Sequence, residues 1–146
     1  MPFQFSLATV LRLRENLEHT ELLTLEKRYS ELALAQGRLW EAEQNIIRAA
    51  ESRQLQLSRG TTAIQLQLAI EEESQMRQQR DALLQKLQEA QKVLREQLVV
   101  YWKARQKRDI LQELRKQKFD VYQRAQAKLE QRERDELFLL RRKRVR

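Results

Sequence analysis

The sequence predicts an all-α chain, folded as a long antiparallel two-helix coiled-coil hairpin with a short helical connector. Three observations carry this. Glycine occurs only at Gly37 and Gly60 and proline only at Pro2, so the chain has few places to reverse direction and its helices must be long. Residues of high helix propensity dominate and aromatics make up only 6%, leaving no stretch of alternating β formers. Apolar residues recur in steps of three and four over most of the chain, the spacing of a helix with one face against a partner helix.

A first helix is predicted over about 6–58. Ser6 is its candidate N-cap, since a serine hydroxyl can accept from the free N–H groups of a first turn. Leu7, Val10, Leu13 and Leu17 form an opening apolar stripe. From Leu22 a heptad seam runs through Leu25, Tyr29, Leu32, Gln36, Leu39, Glu43, Ile46, Ala50, Arg53 and Leu57. The two stripes are out of phase, and a local register shift near residues 17 to 22 would join them. Gly37 falls beside the seam; it costs about 1 kcal/mol of helix propensity and would permit close approach of the partner helix.

The clear interruption is Ser58-Arg59-Gly60-Thr61-Thr62. Gly60 can end a helix in the left-handed conformation, and Thr61 or Thr62 can cap the next. A connector is predicted over about 59–75, with a short amphipathic piece from Ala63 to Glu73 and a second bend at Ser74-Gln75. The last helix is predicted over about 76–142, with a seam through Leu83, Leu87, Ala90, Leu94, Gln97, Tyr101, Ala104, Arg108 and Leu111. It continues through Arg115, Lys118, Tyr122, Ala125, Leu129, Arg132, Glu136 and Leu139, where long cationic side chains would cover the partner with their aliphatic stems. The whole reads as one coiled-coil domain, with both chain ends at one tip and the Gly60 region at the other.

Charge is distributed unevenly. The formal net charge is +8, yet residues 1–58 carry seven Lys/Arg against eight Asp/Glu and residues 59–102 carry six of each. Residues 103–146 carry sixteen against seven and end in Arg141-Arg142-Lys143-Arg144-Val145-Arg146. Three readings compete: a solvated helix face with cations against the helix C-terminus, an electropositive tip that docks an acidic protein surface, and a nucleic-acid contact. The last lacks interleaved aromatics for base stacking.

No catalytic or ligand site is visible. Two isolated glycines cannot build a phosphate-cradling loop. His19 is the sole histidine and cysteine is absent, so no zinc ligand set can be assembled, and thiol chemistry is excluded as in a reducing compartment. Glu71-Glu72-Glu73 reads as a solvated helix face. The longest wholly apolar run, Leu98-Val99-Val100-Tyr101-Trp102, is far short of the roughly 20 residues that span a bilayer, and the N-terminus lacks a secretory pattern. The sequence thus predicts a cytoplasmic, non-enzymatic chain with no cofactor and no membrane insertion. Apolar residues off the seam, namely Trp40, Ile47 and Trp102, either widen the seam or form an exposed anchor for a partner.

Four features carry a family resemblance. Phe3-Gln4-Phe5-Ser6-Leu7 followed by Val10-Leu11-Arg12-Leu13-Arg14-Glu15 resembles an F-x-F-x-L…vL-x-x-R-E start. Tyr101-Trp102-Lys103-Ala104-Arg105-Gln106-Lys107-Arg108 is similar to a W-x-x-[AR]-x-x-[KR] segment. Gln131-Arg132-Glu133-Arg134-Asp135-Glu136-Leu137 resembles a closing [QE]-x-x-x-D-E-[LFA] signature. Length, basic charge and two-helix plan also match. Together these resemble the FliJ family, the small coiled-coil component of the bacterial flagellar type III export apparatus.

The resemblance implies a stalk similar in plan to the coiled-coil part of the rotary ATPase γ subunit, peripheral at the inner membrane export apparatus. Its implied partners are the hexameric flagellar export ATPase, the export-gate membrane protein and export chaperones. Candidate ATPase-binding residues are Arg12, Arg14, Arg132, Arg134, Asp135 and Glu136; candidate gate or chaperone contacts are Trp40, Ile47, Ile64, Leu68, Met76 and Trp102. The alternatives are the equivalent stalk of a virulence type III secretion system and a basic nucleic-acid-binding coiled coil.

Overall fold

Gly60 takes a backbone φ of +87°, the left-handed region in which a side chain is costly and glycine is not. It ends helix α1 (Ala8–Arg59) and is followed within three residues by helix α2 (Ala63–Val145). Thr62 starts α2: its hydroxyl accepts from the Gln65 N–H at 3.3 Å and its carbonyl from the Leu66 N–H at 3.1 Å, so it is the N-cap. The structure, a computed structural model, describes residues 2–145. With 52 and 83 residues, the helices measure about 78 and about 125 Å at 1.5 Å per residue.

The helix bounds differ from the sequence expectation. Helix α1 opens with the Ala8 N–H on the Phe5 carbonyl and the Leu11 N–H on the Leu7 carbonyl, so the cap position falls to Leu7 rather than Ser6. The stretch expected as a connector after residue 62 belongs to α2, with no bend at Ser74-Gln75. The turn itself is Gly60 to Thr62, because one residue at positive φ and one capping threonine suffice to reverse the chain.

Contacts divide the chain into two compact units, one of Met1–His19 with Trp102–Arg146 and one of Thr20–Tyr101. Residues near both chain ends therefore share one unit, and the Gly60 turn lies in the other. In each unit the helices pack antiparallel. Phe3 meets Phe119 and Glu18 meets Arg108 in the first; Glu21 meets Gln97 and Arg53 meets Glu73 in the second. Partners on α2 move down the chain as those on α1 move up.

On α2 a seam of buried or half-buried positions runs through Leu66, Ala69, Glu73, Met76, Arg80, Leu83, Leu87, Ala90, Leu94, Gln97, Tyr101, Ala104, Arg108 and Leu111, alternating in steps of three and four. This is the expected seam from Leu83 to Leu111, extended upstream through the supposed connector; of its expected continuation Tyr122 is half-buried, whereas Lys118, Ala125, Leu129, Arg132, Glu136 and Leu139 are exposed. Beyond Leu111, Leu114 takes the place expected for Arg115, which is exposed.

On α1 the seam differs. Leu25, Leu32, Leu39, Ile46 and Arg53 face the partner as expected, but the intervening positions are Arg28, Ala35, Ala42 and Ala49, whereas Tyr29, Gln36 and Glu43 are exposed. Three alanines one heptad apart leave room for α2 to approach closely, so a slot reading Tyr-Gln-Glu loses to one reading Arg-Ala-Ala-Ala. The same phase continues upstream through Leu11, Arg14, Glu18 and Glu21, so no register shift occurs near residues 17 to 22. The stripe Leu7, Val10, Leu13 and Leu17 consequently faces away, 36 to 56% exposed.

A two-helix layer covers one face of each helix and leaves the rest in water. Among the described residues only Leu11, Leu25 and Leu94 are buried apolar side chains, and each keeps 5 to 8% of its surface exposed. Polar pairs in the seam fix which residues face one another. Arg108 grips Glu18 through Nε at 2.6 Å and a second nitrogen at 3.2 Å. Gln97 donates to the Glu21 carboxylate at 2.6 Å and its carbonyl at 3.2 Å. Gly37 sits on the exposed side with open space where a Cβ would be, so it does not serve a close approach of the helices.

Candidate partner-binding surfaces

The unit holding both chain-end regions is anchored by an aromatic cluster. Phe3 meets Phe119 edge-on with centroids 5.1 Å apart and Tyr122 at 5.5 Å, an arrangement that attracts positive ring edges to negative ring faces. The segment before α1 is thereby held on α2 at residues 119 to 122. Past Gln126, every residue of α2 from Ala127 to Val145 is exposed. These 19 residues, about 28 Å of helix, have no partner helix among the described residues.

Arg132, Arg134, Asp135 and Glu136 lie on this unpartnered stretch, exposed on successive sides of the helix. Leu137 to Leu140 follow, each 55 to 65% exposed, and Arg142, Lys143 and Arg144 close the last turn of α2. Cations there oppose the partial negative charge of the helix C-terminus. Arg12 and Arg14 are placed elsewhere. Arg12 borders a shallow hollow with Leu11, Glu15 and Arg115, and Arg14 is half-buried in the seam. Because Arg115 and Arg132 are about 25 Å apart along α2, the structure does not bring Arg12 and Arg14 together with residues 132–136.

The other candidates fall in three places. Trp40 is 60% exposed and Ile47, one heptad on, is 49%; they lie off the seam in the unit containing the turn. Ile64 and Leu68, one helical turn apart at the start of α2, are also exposed. Met76 differs: it is half-buried in the seam and lines a hollow with Arg38, Ala42 and Leu83, so it serves helix pairing rather than an outer surface. Trp102 is half exposed in the first unit, with the Arg105 guanidinium 5.1 Å from its ring centroid, a cation–π contact that fixes the indole against the helix.

The sequence reading missed two features. The first is the exposed stripe of Val10, Leu13 and Leu17, legible only once the phase of α1 is known. The second is the Arg53–Glu73 pair at 2.7 Å, in which Glu73 is 4% exposed and its Oε1 has no hydrogen-bond partner. Three consecutive glutamates suggested a solvated face, yet helical periodicity turns one of them inward.

No group of three or more His, Cys, Asp or Glu among the described residues is placed to hold a metal. Among the described residues no helix is long and apolar enough to cross a membrane. The family model of the flagellar FliJ protein matches residues 3–145. No curated protein and no solved structure matches the chain.

Proposed function

Since the chain belongs to the flagellar FliJ family, whose role lies in flagellar protein export by the type III pathway, we propose that it is a non-catalytic stalk that binds and stimulates the hexameric export ATPase. The observation that carries this is a family match running through both helices and the turn, from residue 3 to 145. In this reading the chain works as a single coiled-coil domain at the cytoplasmic side of the inner membrane export apparatus. It couples the ATPase to the export gate and to export chaperones.

The ATPase contact is assigned to Arg132, Arg134, Asp135 and Glu136. Its support is physical: these charges stand on a helical stretch with no partner of its own, so a ring can surround them without unpacking the hairpin. Arg12 and Arg14, on α1, form a separate contact beside an earlier part of α2, near Arg115. The gate and chaperone contacts are assigned to Trp40 with Ile47, Ile64 with Leu68, and Trp102, since exposed aromatic and branched side chains make the strongest anchors in protein interfaces.

Alanine replacement of Arg132, Arg134, Asp135 and Glu136 together, measured by stimulation of the purified cognate ATPase, tests the assignment. These side chains are exposed, so the hairpin should keep its circular dichroism while stimulation falls. A quadruple variant that stimulates like the parent would refute the contact. R12A/R14A, assayed in parallel, reports on the second contact alone.

A further inference from the structure

The far end of α2 combines two properties that the ATPase reading does not use. Leu137, Phe138, Leu139 and Leu140 are each more than half exposed, Val145 is 88% exposed, and Arg141 to Arg144 are interleaved with them. Bare aliphatic and aromatic area of this density marks a surface that is covered in use. What covers it must also receive several cations.

Charge selects the face. With about 100° between successive helical residues, Gln131, Arg134, Phe138, Arg141, Arg142 and Val145 fall on one side, in the order i, i+3, i+7, i+10, i+11, i+14. That side carries three arginines, one aromatic and one branched aliphatic, with a single carboxylate, Asp135, at its edge. The opposite side presents Leu129 and Leu140 among Glu133, Glu136, Arg132 and Lys143, where acids and bases balance, so an anionic partner is drawn to the arginine side. Arg141 and Arg142 flank Phe138 to left and right, where their stems can lie along an apolar layer while the guanidiniums reach outward.

We propose that this face, Phe138 and Val145 between Arg141 and Arg142, is a contact for an anionic lipid surface. A membrane interface offers both things the face requires: phosphate charge for the guanidiniums and, immediately beneath, an apolar boundary for Phe138 and Val145. Nucleic acid supplies the phosphates but no apolar layer for Phe138 and Val145. The helix lies along the surface without crossing it, consistent with the absence of a spanning segment among the described residues. The contact goes beyond the ATPase reading and does not rest on it, because the residues it depends on, Phe138, Arg141, Arg142 and Val145, follow Glu136.

Co-sedimentation of the full chain with phosphatidylcholine vesicles, with and without phosphatidylglycerol, tests this directly. The chain binds the phosphatidylglycerol vesicles and leaves the neutral ones in the supernatant. R141Q/R142Q weakens binding roughly 30-fold, at about 1 kcal/mol for each cation at the surface. F138D weakens it about tenfold or more, while L140D, on the opposite side, changes it less than about threefold. All these positions are exposed, so each variant retains its helix, checked by circular dichroism. Equal binding to both vesicle types overturns the proposal, as does F138D behaving like L140D. Tighter binding to duplex DNA than to anionic vesicles, indifferent to F138D, overturns it in favour of a simple polyanion contact.

Discussion

At the scale of single residues, the Arg53–Glu73 pair is the sharpest statement the chain makes. A carboxylate only 4% exposed and bridged at 2.7 Å to the part-exposed Arg53 has lost most of its water, and the cost of that desolvation offsets much of what the pair adds to stability. Its counterpart, Glu18 with Arg108, reverses the sign: the acid is on α1 and the base on α2. Neither pair survives a shift of one helix along the other, so together they fix the alignment. Removing one partner leaves the other exposed to the full cost of burial. R53A should lower thermal stability by about 2–3 kcal/mol, whereas R53L/E73L should be neutral within about 1 kcal/mol, measured by denaturant unfolding. A double variant as unstable as the single one would show that the pair itself supplies the stability. This pair also marks where sequence reading stopped. Glu71, Glu72 and Glu73 are chemically alike, and only the phase of α2, carried back from Leu94 through Leu83 and Met76, distinguishes the one that points inward.

At the scale of the element, the same limit appears in α1. That a helix spans most of the first 59 residues was legible from glycine scarcity and apolar spacing, as was its end at Gly60. Its phase was not. Leu25, Leu32, Leu39 and Ile46 fixed one row of the seam, but the second row could be Tyr29-Gln36-Glu43 or Arg28-Ala35-Ala42. Counting apolar residues weights a tyrosine above an alanine, while packing rewards the residue that lets the helices close. The two glycines differ for related reasons. Gly60 sits at φ +87°, so G60A should destabilise the hairpin by about 1–2 kcal/mol. Gly37 is helical with open space at its Cβ, so G37A should stabilise it by about 1 kcal/mol. Thermal unfolding followed by circular dichroism checks both, and a destabilising G37A would mean that a partner, absent here, needs that gap.

At the scale of the whole molecule, the sequence made the partition of charge plain and the structure adds what accompanies it. The positive excess after residue 103 lies in the unit that also holds the N-terminal segment, and its last 19 described residues stand without a partner helix. The aromatic cluster of Phe3, Phe119 and Tyr122 sets that limit, because it pins the N-terminal segment one helical turn before the packing stops. Family membership assigns such a chain to flagellar export, and the unpartnered end of α2 is the segment a ring can reach. The residues around Arg12 and Arg14, placed in the same group on sequence grounds, lie further back along α2 because α1 begins only at Ala8 and then runs away from the free end.

The central claim is that the end of α2 acts on the export ATPase. Truncation after Glu130 removes that end and spares every seam residue, so the shortened chain should keep its helical content. Steady-state hydrolysis by the cognate ATPase, measured with each chain alongside a pull-down, gives the test. The account predicts that the truncated chain neither stimulates hydrolysis nor retains the ATPase; stimulation equal to that of the full chain would contradict it.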